Sequence, residues 1–223
     1  MVQENNKTKI TYYGHAMFEI ESGSGVKIVT DPYNEKIKSI LPEVYADIVL
    51  VSHDHFDHNN VSIVKGNPKI VKNTGTANVV NIKDIEIETV ESFHDPKGGA
   101  LRGKNNIYKF LVDKILFVHL GDLGHTLENW QLAKLKNIDV LMIPVGGTYT
   151  INFLEAYDLI KKISPKIAIP MHYKEPDSKL DVDTVEMFLS RCPDFKKVGH
   201  SIYVDKDEIN KILKTEIWVF DSK

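Results

Sequence analysis

Apolar residues fall along this chain in short runs separated by polar turns, and the rhythm of each run predicts its element. "KITYYGHAMFEIES" and "VKIVTDPY", joined by "GSG", read as strand, turn and strand, with glycine supplying the turn conformation. "ADIVLVS" is a continuous apolar run that stops at a polar cluster, as expected of a strand buried on both faces. The short segment from Asn59 to Lys65 is compatible with a helix. "IEIETVES", "NIYKFLV", "KILFVHL" and "DVLMIPV" continue the series of strands, and Pro165 and Pro170 bracket "KIAI", which fits a short strand after a helix. Residues 127–136, 153–163 and 182–191 instead carry apolar side chains at helical spacing. Residues 1–7 are polar and predicted to fray. No internal repeat or low-complexity linker breaks the pattern. It predicts one α/β domain over residues 1–223, layered as a sandwich with helices outside mixed sheets.

Composition narrows the picture without redirecting it. A chain of 223 residues with 42% hydrophobic content can bury one sizeable core. The 28 basic and 31 acidic side chains give a formal net charge of −3, so no electrostatic footprint points to nucleic acid or an anionic membrane. No apolar run approaches the roughly 20 residues that cross a bilayer. A single cysteine, Cys192, forms no internal disulfide framework, and "MVQENNKTKI" lacks the apolar stretch of a secretory signal, so a cytoplasmic location is expected. The partner implied is a small-molecule substrate.

The chemistry concentrates in "SHDHFDHN", where His53, His55, Asp57 and His58 fall within six residues after a buried strand. In an extended segment His53 and His55 point to the same side, so two imidazoles can reach one ion. If the chain then turns, Asp57 and His58 can face a second ion. Further candidates stand where other apolar runs stop: His94 in "ESFHDP", Asp122 in "HLGDLGH" and His172 in "IPMHYK". Imidazole and carboxylate suit zinc, and such a set leaves coordination positions for water.

This pattern resembles the metallo-β-lactamase superfamily, whose HxHxDH motif is followed by a histidine, an aspartate beside glycine and a last histidine. Carried over by position, the resemblance implies that His53, His55 and His94 hold one metal, that Asp57, His58 and His172 hold another, and that Asp122 bridges them. It implies with this a four-layer αββα sandwich and two divalent ions, zinc first, with manganese or iron as alternatives. "YYGHAMFEI", "TDPY", "HLGDLGH" and "PVGGTYT" are most similar to small stand-alone members of the lactonase and N-acyl phosphatidylethanolamine phospholipase D kind. The glutamate of flavodiiron proteins at the place of His55, the cysteine ligand of class B1 β-lactamases and the helical C-terminal domain of glyoxalase II are all missing.

The activity implied is hydrolysis by a metal-bridging hydroxide, of a lactone or another small ester. A phosphodiesterase is the second reading, and a metal-binding or ligand-sensing protein without turnover is the third. Asp57 is the expected proton acceptor. His15 is expected near the metals as a proton donor or a partner of Asp31. His119 competes with His94 for the first site, and His119 and His125 are otherwise read as supports of the ligands. In the "GGALRGKNN" stretch, Arg102 or Lys104 is placed to meet an anionic substrate. Backbone N–H groups at Gly146 and Gly147 offer a second anion contact, with Tyr149 closing over it. His200 reads as a surface residue.

Overall fold

The computed structural model describes residues 7–72 and 79–223. In chain order its strands are β1 (Thr8–Gly14), β2 (Met17–Glu21), β3 (Lys27–Thr30), β4 (Val44–Tyr45), β5 (Ile48–Leu50), β6 (Val64–Lys65), β7 (Lys69–Val71) and β8 (Val79–Ile82). They continue as β9 (Ile85–Phe93), β10 (Lys104–Val112), β11 (Ile115–His119), β12 (Val140–Pro144), β13 (Ile167–Met171), β14 (Phe195–Lys197), β15 (Ser201–Val204) and β16 (Glu216–Val219). The helices are α1 (Asn129–Lys134), α2 (Phe153–Ile163), α3 (Val185–Leu189) and α4 (Lys206–Asn210).

Two mixed sheets result, in the orders β15-β1-β2-β3-β5-β7 and β14-β16-β13-β12-β11-β10-β9-β8, beside a ribbon of β4 and β6. Strand alternation makes the first sheet two-faced. Ile10, Tyr12, Phe18, Ile20, Ile28, Ile48 and Leu50 enter the large core shared with the second sheet. Their neighbours Tyr13, Met17, Val29, Val49 and Val51 face the other way and form a smaller core with Tyr33, Ile37, Val44 and Val64. The cover on that outer face is therefore non-helical chain from residue 32 onward plus the β4–β6 ribbon. The second sheet carries α2, which buries Ala156, Leu159, Ile160 and Ile163 at helical spacing and packs on β12 and α3. Asn152 and Glu155 close its N-terminus as a capping box, and Ser164 ends it in left-handed backbone.

The α/β class and the mixed sheets agree with the pattern of apolar runs, and three local readings change. "KITYYGHAMFEIES" is not one strand but the hairpin β1–β2, because Gly14 (φ 108°) and His15 (φ 56°) turn the chain. Glycine is required there: a Cβ on Gly14 would lie 2.5 Å from Lys38 Nζ. Residues 182–191 form only the five-residue α3, and residues 59–65 form a 3₁₀ turn at Val61–Ile63 running into β6. The start predicted to fray falls on residues 1–6, outside the described residues, while Lys7 pairs with Asp205 and Glu208. No helix among the described residues is long and apolar enough to cross a membrane.

Candidate metal centre

Strand direction decides where the chemistry gathers. β3 and β5 are parallel neighbours in the first sheet, and β11, β12 and β13 are parallel in the second. β9 runs in the same sense as β11 because both are antiparallel to β10. The C-terminal ends of β3, β5, β9, β11 and β13 therefore carry Asp31, the His53–His58 stretch, His94, Asp122 and His172 to one end of the sandwich. His53, Asp57, His58, His94, Asp122 and His172 are buried there, and His55 is half-buried.

Their ligand atoms fall into groups. His53, His55 and His94 have ring nitrogens within 4.8 Å of one another, and so do the ligand atoms of His15, Asp57, His58 and His172. A third grouping, His53 with His58 and Asp122, spans the two. Asp122 stands between them: Oδ2 lies 3.2 Å from His94 Nε2 and 3.2 Å from His172 Nε2, and Oδ1 lies 3.2 Å from His58 Nε2. After His55 the chain makes a single turn, with the N–H groups of His58 and Asn59 donating to the His55 carbonyl, which swings Asp57 and His58 towards the second group.

Asp31 orders the rings. Its Oδ1 accepts the Ser52 N–H at 2.7 Å, and its Oδ2 accepts the Ser52 hydroxyl at 2.6 Å and His58 Nδ1–H at 2.9 Å. With its proton given to Asp31, the Ser52 hydroxyl accepts from His53 Nδ1–H at 2.9 Å. Both imidazoles thus turn Nε2 inward, the atom a metal would take once it is deprotonated. Burial opposes the charge on Asp31, but His58, His119 and His53 around it hold the carboxyl below the usual carboxylate range. Burial likewise opposes the charge on Asp122, which His172 and His58 hold ionised, and that on Asp57, which His58 and His15 hold ionised.

These residues fit a divalent metal. The buried His53 Nε2 and Asp122 Oδ1 have no hydrogen-bond partner among the described residues, an arrangement that costs free energy unless a cation meets them. His119 is not available as a competing ligand. Its Nε2–H donates to the Ala16 carbonyl at 2.9 Å and its Nδ1 accepts the Gly121 N–H at 3.1 Å, so both nitrogens are spent on backbone. His125 supports the strand before His94, its Nε2 accepting the Phe93 N–H at 3.1 Å. His15 lies beside Asp57 and His58, 3.3 Å and 3.1 Å from their nearest atoms, rather than at Asp31. His200 is exposed, and its Nδ1 lies 3.1 Å from the Asp221 carbonyl.

A cavity of about 350 Å³ opens over the centre, with His55, Asp57, His94, Asp122 and His172 as its floor and Phe56, Leu101, Arg102, Tyr149 and Leu180 as its walls. Of the two cations considered from sequence, Arg102 reaches this cavity and its guanidinium stacks 5.5 Å over the Tyr149 ring. Lys104 pairs with Glu91 at 2.6 Å instead. Gly146 serves close approach, since a Cβ there would lie 2.2 Å from the His172 carbonyl oxygen.

Sequence reasoning missed several supports. Asp95 is buried and accepts the N–H groups of Lys97, Gly99, Leu101 and Arg102, so the residue after His94 fixes the loop that carries Arg102. Asn105 Oδ1 holds the Asp122 N–H at 2.9 Å, and its Nδ2 donates to Ser92 and to the Leu120 carbonyl. The glycines of "HLGDLGH" were a usable signal: a Cβ on Gly121 would strike Asn105 Oδ1 at 2.4 Å, and one on Gly124 the His94 carbonyl carbon at 2.3 Å.

Comparison with known proteins follows this geometry. The sequence model of the β-lactamase superfamily domain matches residues 9–172. The chain belongs to the β-lactamase superfamily. Among its superfamily relatives, the UPF0173 metal-dependent hydrolase of Carboxydothermus hydrogenoformans is 30% identical, over 74% of this chain and 84% of the relative. A UPF0173 metal-dependent hydrolase of Nanoarchaeum equitans is 32% identical over 74% of this chain and 83% of its own. A Thermotoga maritima protein described as a Zn-dependent hydrolase of the metallo-β-lactamase superfamily superposes with a TM-score of 0.78 at 35% identity, covering 96% of this chain and 98% of that one. The chain is a metal-dependent hydrolase of this superfamily, with a His/Asp cluster able to bind metal.

Proposed function

We propose that the chain hydrolyses a small anionic ester or lactone with two divalent ions, zinc in the first instance, as one domain spanning residues 1–223. His53, His55 and His94 hold one ion, Asp57, His58 and His172 hold the other, and Asp122 joins them. The observation that carries this reading is the position of the buried Asp122 carboxylate, within 3.2 Å of His58 on one oxygen and of His94 and His172 on the other. When bound, a pair of ions activates water at neutral pH and stabilises the negative charge that develops at the substrate carbonyl.

The residues of the chain do the rest. Asp57 reaches the cavity with its carboxyl firmly ionised by His58 and His15, so it orients the attacking water and takes its proton only briefly. His15 is buried and does not line the cavity, which leaves protonation of the leaving group to water from the open side. Phe56, Leu101 and Leu180 offer apolar walls, and Arg102 is the one cation among the lining residues. That pairing favours a substrate with a short apolar portion and one anionic group. Elemental analysis of protein purified without chelator, joined to an activity screen over lactone, thioester and bis(p-nitrophenyl) phosphate substrates, tests the proposal. Two ions per chain and lactone or ester turnover are expected. At most one ion, or turnover of the phosphodiester alone, would overturn it.

A further inference from the structure

The loop that carries Leu101 and Arg102 to the cavity has no core of its own. It runs over residues 96–103, from the end of β9 to the start of β10, and Pro96, Lys97, Gly98, Ala100 and Leu101 are exposed. None of its side chains enters either hydrophobic core, and with three glycines it has much conformational entropy to lose. We propose that Asp95 is a positioning residue: its buried carboxylate orders residues 96–103 before any substrate binds, and so presets the wall that holds Arg102 at the cavity. The kinetic consequence rests on the reading above, in which Arg102 meets an anionic substrate.

The hydrogen bonds divide evenly over the carboxylate. Oδ1 accepts the Lys97 N–H at 2.8 Å and the Gly99 N–H at 3.2 Å, while Oδ2 accepts the Leu101 N–H at 3.0 Å and the Arg102 N–H at 2.8 Å. Bonds to an ionised acceptor are stronger than neutral ones, and these four span most of the loop. Asp95 is itself fixed at the root. A Cβ on Gly124, in the turn after β11, would lie 2.5 Å from the Asp95 nitrogen, so the backbone there is held against the body of the protein.

The other supports of the loop are weaker. The Arg102 guanidinium lies 5.5 Å over the Tyr149 ring and 3.5 Å from the Thr148 carbonyl, but Arg102 is half-buried, and a cation stacked on a ring in contact with water gains less than a charge-assisted hydrogen bond. The bonds internal to the loop, Ala100 N–H to the Lys97 carbonyl and Gly103 N–H to the Gly99 carbonyl, close single turns. Order therefore passes from Asp95 to Arg102, and Tyr149 receives a side chain whose backbone is already set. A preset contact spares the substrate the cost of ordering the loop, so losing it should weaken binding rather than chemistry.

Amide hydrogen exchange and a double-mutant cycle test this. In wild-type protein without substrate, the N–H groups of Lys97, Gly99, Leu101 and Arg102 should exchange at least about 100-fold more slowly than unstructured chain. Asp95→Asn turns an NH2 group towards two of these donors and should speed the four by at least about tenfold, with the amides of β9 and β10 still slow. Arg102→Ala should leave the four slow. For an anionic ester, Asp95→Asn should raise KM about 3–10-fold with kcat within about twofold and metal retained, and added to Arg102→Ala it should raise KM by less than about twofold more, because it acts through the same side chain. Fast exchange at the four amides in free wild-type protein would overturn the inference whether or not the variant folds. So would protection that survives Asp95→Asn but not Arg102→Ala, or fully additive effects on KM. A wild-type enzyme indifferent to charge on the ester would overturn the anionic-substrate reading instead, and the exchange rates would then decide the ordering by themselves.

Discussion

The first sheet brings its candidate ligands in one contiguous stretch, His53 to His58, whereas the second brings His94, Asp122 and His172 singly from the ends of three strands. The two sets are held by different physics. On the first sheet, Asp31 and Ser52 orient the rings of His53 and His58 through side-chain hydrogen bonds. On the second, close backbone approach does the work: Gly121 against Ser52 and Asn105, Gly124 against the His94 carbonyl, and Gly146 against the His172 carbonyl. His172 adds a left-handed φ of 52°. A ring aimed by hydrogen bonds can lose its aim while the fold survives. A ligand placed by backbone contact moves only if the fold gives way.

Asp122 comes from the second sheet, but its carboxylate faces residues of both, so its loss should have the largest effect. Asp122→Ala removes the carboxylate that faces His58, His94 and His172, leaving buried cations without a counter-charge. Metal at one site at least and nearly all turnover should go, while His200→Ala behaves as wild type. Retention of two ions and ordinary activity in a variant folded by circular dichroism would break the assignment of this aspartate.

A pair of variants separates the two modes of support. Asp31→Asn should weaken zinc affinity by roughly 10–100-fold, read by competition with a chelating dye. Gly146→Ala drives a methyl into the His172 carbonyl and should cost about 1–3 kcal/mol of stability, read by thermal unfolding. If Gly146→Ala kept its stability and lost only metal, the distinction drawn between the sheets would fail.

That distinction also explains what could be read from sequence. The His53–His58 stretch announces itself because a single turn places candidate ligands in two groups, and side chains two apart on extended chain share a face. The helix at 153–163 was equally plain, since its apolar period and its cap coincide. His94 needed motif order, because nothing local distinguishes it from any polar residue after a strand, whereas Asp122 also stands between the two glycines of "HLGDLGH". The hairpin at Gly14–His15 was hidden, since apolar residues run unbroken through "YYGHAMF" and only one glycine marks the turn. Asp95 was not legible at all, because it accepts four N–H groups, a role that depends on loop geometry that no period encodes.

Acid should act on both sheets in the same direction. In chelator-treated protein, burial lowers His15 to about 4, and it lowers His53 and His94 too, so these rings stay neutral in the fold while the unfolded chain takes up protons. Their contribution is present above about pH 6.5 and is lost as pH falls towards 4. His58 has the opposite sign. Burial opposes its charge, but Asp122, Asp57 and Asp31 raise it well above the ordinary value, so its contribution is present below about pH 6.5 and is lost as pH rises through the raised value. With His119 lowered by burial as well, the balance is four against one, and the chelator-treated protein should melt lower at pH 5 than at pH 7. Zinc uptake near neutral pH should release a proton as His58 is displaced from its charged form. A midpoint flat from pH 5 to 7 would mean that these rings are not buried neutral.

The smallest effect should fall on Arg102, and it tests whether the second sheet's backbone-held loop can be altered at its tip without disturbing the candidate ligand His94 at its root. Arg102 is half-buried at the cavity wall, its guanidinium over Tyr149 and 3.5 Å from the Thr148 carbonyl. Its backbone N–H, by contrast, is fixed on Asp95, one residue from His94. Removing the side chain leaves that backbone bond in place, so Arg102→Ala should keep both ions and its thermal midpoint. What it loses is a charge-assisted contact at a partly exposed site, about 1–1.4 kcal/mol. The KM for an anionic ester should therefore rise about 5–10-fold with kcat within about twofold, since the contact is made in ground and transition states alike. A neutral ester of the same size should be hydrolysed as before. Equal losses for the two esters would mean that Arg102 shapes the cavity through Tyr149 rather than reading charge, and a loss of metal would mean that the loop tip and His94 move as one piece.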